Sequence, residues 1–145
     1  MNKSRVLMKI GGIMMVVLGS MGLLTALITC FGLVNLNSSI RIQLIEASGL
    51  SAINYYGKII GFLIINGIEF VFGIILLKTC DPFEYYQRIN RTIIGFMLLS
   101  FIYIIYDAAL IGASGDMVFW LISGIVAPVF VLIGLNNTKE GKTNG

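Results

Sequence analysis

Glu69 and Asp107 raise the chemical question in this chain, because each lies inside a long apolar run. A charged side chain at the centre of a bilayer costs on the order of 2.5–3.5 kcal/mol on insertion scales. Such an acid must be buried among helices, neutralised by a proton, or turned toward water. At about 100° per residue, Asn54, Lys58, Phe62, Asn66, Glu69 and Gly73 share one helical face. A companion stripe of Thr92, Phe96, Ser100, Tyr103 and Asp107 follows the same spacing. With about 1.5 Å of rise per residue, the two acids differ in depth by roughly 9 Å. Asp107 is therefore expected to meet Lys58 or reach outward, and Glu69 to bond Asn66, Ser100, Tyr103 or a backbone carbonyl.

The chemistry open to these groups is narrow. A buried glutamate can carry a proton, hold a cation, tie two helices together or meet a partner subunit. The chain has no histidine, and no metal-ligand spacing or nucleophile–base arrangement is visible. No catalysis, metal or cofactor is expected. Cys30 and Cys80 fall near opposite ends of different apolar runs. A disulfide needs Cα atoms within about 7 Å, so both are read as free.

The elements that must position Glu69 are apolar stretches over residues 10–34, 59–77, 92–112 and 117–135. A membrane core about 30 Å thick takes roughly 20 helical residues. The chain is 57% hydrophobic and 12% charged, with mean hydropathy +0.94, whereas soluble domains carry about 25% charge. The expected fold is all-α: a single four-span bundle over residues 1–145, with a mobile polar tail from 136. The first run exceeds the roughly 7–15 apolar residues of a signal peptide, so it is read as a retained helix.

Charge orients the spans. Lys3, Arg5, Lys9, Lys78, Arg88, Arg91, Lys139 and Lys142 fall on one side, and only Arg41 and Lys58 on the other. The positive-inside rule then puts both termini in the cytoplasm, with the cell membrane as the expected location. Nucleic acid is not an expected partner, because the basic residues flank spans and form no soluble basic face.

Residues 36–58 form the one sizeable outer segment. Alternation of Ile40, Ile42 and Leu44 suits a strand-like piece, but a short amphipathic surface helix is the preferred reading. Ser51 can cap an early start of the second helix. Tyr55, Tyr56 and Trp120 are placed as outer aromatic anchors, and Phe83, Tyr85 and Tyr86 as inner ones. Pro82 should end the second span. Residues 113–116 leave room only for a tight hairpin. Pro128 should kink the last helix and free the Gly124 carbonyl.

Small residues mark the packing faces. Gly11, Met15, Gly19, Gly22, Ala26 and Thr29 line the first helix, Gly57 and Gly61 the second, and Gly124 and Ala127 the fourth, in line with Trp120. Membrane helices pair through such close-packing faces, and contact within the chain is favoured over a dimer face. A faint internal echo sets Ile65-Asn-Gly-Ile68 beside Ile122-Ser-Gly-Ile125.

These features predict a non-enzymatic protein of the lipid bilayer, acting as an accessory or assembly subunit with other membrane subunits or with itself. The alternative is a small homo-oligomeric transporter or channel with Glu69 as its proton or cation site. A third reading is self-protection against a membrane-active peptide.

Overall fold

The computed structural model describes residues 3–78, 86–112 and 115–143. Helix α1 spans Lys3–Asn35, α2 Ser38–Ala47, α3 Ala52–Lys78 and α4 Tyr86–Ile111. Helix α5, Gly115–Leu121, runs through a π-helical turn at Ile122–Val126 into α6, Ala127–Thr143. Four stretches are long and apolar enough to cross a membrane: Arg5–Asn35, Ala52–Lys78, Tyr86–Ile111 and Met117–Asn137. The all-helical, four-span pattern expected from hydropathy is present.

The helices overrun the apolar stretches. Helix α3 starts at Ala52, where the Asn54 N–H donates to Ser51 Oγ at 3.3 Å, the cap the sequence suggested. Glycines stop two others: Gly49 (φ 70°) follows α2 and Gly112 (φ 74°) follows α4, the left-handed geometry that closes helix ends without a Cβ clash. Segment α2 is helical rather than strand-like, and none of its residues is buried. Helix α6 stays helical through Thr143, beyond the apolar run that ends at Leu135.

Pro128 has the local effect its chemistry requires. It has no N–H to bond the Gly124 carbonyl. Just before it the helix widens, and the Ala127 N–H donates to the Ile122 carbonyl five residues back. The result is a π turn.

Glycine sets the separation of the helices. A Cβ at Gly19 would lie 2.7 Å from the Phe70 backbone nitrogen, and one at Gly73 2.8 Å from that of Val16. A Cβ at Gly22 would collide with the Asn66 amide. On the other flank, a Cβ at Gly11 would lie 3.0 Å from the Ala127 carbonyl oxygen. The small face of α1 is thus spent inside the chain, wedged between α3 and α6 in antiparallel contact. Ala26 and Ala127 are buried in the same seams. Helix α4 closes the bundle through side chains: Gly61 receives the Tyr103 ring and Gly124 receives Ser100. Gly57 is exposed and meets α4 only through the Tyr106 hydroxyl, 3.3 Å from where its Cβ would lie.

Trp120 departs from expectation. It is 1% exposed rather than an interface anchor. Its ring packs on Phe62 at 4.9 Å and on Tyr103 at 4.7 Å between centroids. The cause is spacing: positions 120, 124 and 127 share one face, and that face points inward. Tyr55 is half-buried and Tyr56 exposed, while the half-buried Tyr86 donates its hydroxyl to Asn136 Oδ1 at 2.7 Å. Phe83, Tyr85, Pro82 and Cys80 lie outside the described residues, and Cys30 is a free, half-buried thiol. The outward faces carry rows of large apolar side chains such as Ile28, Val71, Ile102 and Val118.

Gly19→Val should destabilise the bundle by about 1–3 kcal/mol, because its side chain meets backbone that cannot rotate away. Gly32→Ala, with nothing within 4 Å of the added Cβ, should be neutral or stabilising. Unfolding of both variants in matched detergent tests the contrast.

Candidate functional site

The α1 seam fixes which face of α3 turns inward. Gly73 packs on the α1 backbone at Val16 and the Asn66 amide on Gly22, so Glu69 between them is fully buried. Asn66 and Glu69 lie on successive turns and point into the bundle.

Glu69 finds its partner across the bundle. Ser123 Oγ donates to Glu69 Oε2 at 2.7 Å. Ser123 is fully buried and sits in the π turn ahead of Pro128, so the wide turn carries a hydroxyl that reaches the acid. The other carboxylate oxygen, Oε1, has no hydrogen-bond partner among the described residues. Asn66 Nδ2 donates to its own helix at the Phe62 carbonyl, 2.7 Å away, and its Oδ1 is likewise unpartnered. Ser100 Oγ, buried beside Gly124, is the third buried oxygen without a partner in this layer.

A second polar centre lies toward the α2 end. Lys58 Nζ stands 3.0 Å from Asp107 Oδ1, with side-chain exposures of 26% and 1%. The contact is an ion pair without the alignment of a hydrogen bond, and Asp107 Oδ2 has no partner among the described residues. Tyr103 donates its hydroxyl to the Lys58 backbone carbonyl at 3.0 Å, which ties α4 to α3 at that level. Eleven residues separate Lys58 from Glu69, about 16 Å along a helix. The rings of Phe62, Tyr103 and Trp120 pack together near this level.

The sequence-predicted polar residues therefore divide. Asn66 and Glu69 form one layer with Ser100 close by, and Tyr103 and Asp107 belong to the other with Lys58. The Lys58–Asp107 contact matches expectation. Tyr103 and Ser100 do not bond Glu69: the Tyr103 hydroxyl is engaged at Lys58, and Ser100 faces Gly124. Thr92 leaves the expected stripe, being exposed and donating to the Arg88 carbonyl at 2.9 Å. The residue that sequence reasoning missed is Ser123. Its signal was the internal echo, which aligns Ser123 with Asn66, together with Pro128 five residues on.

Among the described residues, no three histidine, cysteine, aspartate or glutamate side chains converge as metal ligands. What the Glu69 layer offers is acceptor oxygen in a water-poor interior. Two cavities of about 320 and 390 Å³ open near the second centre and share Thr25, Lys58 and Phe62 in their walls.

These features fit the class of multi-pass helical membrane proteins. Set against protein-family models, curated proteins and solved structures, the chain gives no match.

Interhelical hydrogen bonds in membrane proteins contribute about 0.6 kcal/mol on average and up to about 1.7. Ser123→Ala should lower bundle stability within that range, measured by unfolding in mixed micelles. Thr92→Ala, on an exposed side chain bonded within its own helix, should change stability by less than half as much.

Proposed function

We propose that this chain is a small, non-enzymatic transporter or channel of the cell membrane, with Glu69 as the group that takes up and releases a proton or small cation. The observation that carries the reading is a fully buried glutamate whose Oε2 is held by Ser123 and whose Oε1 has no partner among the described residues. An intramembrane acid that faces a bundle interior is a functional group by default, because an apolar residue would insert at lower cost. Asn66 Oδ1 and Ser100 Oγ supply further acceptors in the same layer. This reading is preferred to that of an assembly subunit because the small faces suited to a partner helix are already filled by helices of the same chain.

The charge pattern supports an orientation with both termini in the cytoplasm. The antiparallel contacts agree internally with both termini on one side: Gly11 packs near Val131, and Tyr86 bonds Asn136.

Glu69→Gln keeps an acceptor for Ser123 while removing the titratable group. In proteoliposomes, wild type should dissipate an imposed proton or monovalent-cation gradient, and Glu69→Gln should lose that flux while keeping its fold. Equal flux in both, or none from wild type, contradicts the assignment. A fluorescent reporter fused after Gly145 should be shielded from protease added to intact cells; digestion there would reverse the orientation.

A further inference from the structure

The two cavities beside Lys58 are lined by neither Glu69 nor Ser123. Their volumes, about 320 and 390 Å³, fall in the range of small-molecule sites, roughly 300–1,000 Å³. Their walls are largely apolar and aromatic, with Phe62 common to both, Tyr55 in the smaller, and Phe119 and Trp120 in the larger. Among the described residues, Lys58 is the one charged side chain in either wall. It is 26% exposed, whereas its partner Asp107 is 1% exposed. Lys58 lines both cavities, whereas Asp107 lines neither.

We infer that these cavities form a binding site for a single-chain amphiphile with an anionic head, of the fatty-acid class, whose carboxylate is held by Lys58. Asp107 offsets the cost of burying the ammonium when the site is empty. Lysine has three N–H donors, and the Asp107 contact lacks hydrogen-bond alignment, so donors remain for a ligand head. The apolar tail lies against Phe62, Phe119 and Trp120. Volumes of this size suit one short chain. The inference is independent of the Glu69 reading and survives if that reading fails.

Trp120 is the chain's one tryptophan and forms part of the larger cavity's wall, which makes its fluorescence a direct reporter. The probe is a medium-chain carboxylate brominated at its far end, added to the full chain in nanodiscs at a pH where the probe is ionised. Quenching should saturate, and a brominated alcohol of equal length should bind about tenfold more weakly or worse, as expected for loss of one charge-assisted contact. Lys58→Gln should cause a similar loss, Lys58→Arg should retain binding, and Asp107→Asn should tighten it by freeing the ammonium. Equal quenching by acid and alcohol overturns the inference. So does quenching that rises without saturation and is matched by brominated phospholipid, since the cavities would then hold bulk lipid. Weaker binding in Asp107→Asn with a native-like melting curve also overturns it, because removing the competing carboxylate should leave the ammonium freer for an anionic head.

Discussion

A buried carboxyl in a bilayer has no water to satisfy it, so Glu69 has to be met by a group on another helix. The contact that meets it, Ser123 Oγ to Glu69 Oε2 at 2.7 Å, constrains much of the architecture. Helix α3 must present Glu69 inward, which requires its opposite contacts to seat closely on α1. The glycines at 19, 22 and 73 permit that approach. The last span must present Ser123 at matching depth, and it does so from a π turn that Pro128 makes favourable. Replacing any of these small residues by a larger one would push apart the helices that carry the pair.

The interior is layered rather than uniformly polar. One layer holds Glu69, Asn66, Ser123 and Ser100. The other holds the Lys58–Asp107 pair with Tyr103 braced on the Lys58 carbonyl. Aromatic packing of Phe62, Tyr103 and Trp120 accompanies the second layer. The two layers differ in electrical balance. The second pairs opposite charges, whereas the first has an acid and neutral groups and, among the described residues, no basic side chain in contact. That difference is the basis on which the two layers are proposed to serve different ligands.

Much of this was legible in the sequence, for identifiable reasons. Span number follows from hydropathy because a bilayer imposes a minimum length on apolar runs. The inward face of α3 was readable because Asn66, Glu69 and Gly73 recur at helical spacing, and the same periodicity put the α1 glycines on one face without saying whether a helix of this chain or of a second copy would fill it. The Lys58–Asp107 pair was one of two outcomes that the sequence left open for Asp107, the other being a side chain reaching outward. Trp120 was misplaced because position near a span end suggested an anchor, while its helical phase with Gly124 and Ala127 buried it. Ser123 was missed because the partner of Glu69 depends on the rotation of a helix distant in sequence, and a π turn changes that rotation locally. Periodicity at 3.6 residues per turn does not anticipate such a change.

The central claim is that Glu69 and Ser123 stabilise one another across the bundle. A double-mutant cycle with Glu69→Leu and Ser123→Ala, read by reversible unfolding in micelles, tests it directly. The structure predicts a coupling of about 0.6 kcal/mol or more, with the double variant more stable than the sum of the single losses implies. Additive losses would contradict the contact, and with it the arrangement of helices built around it.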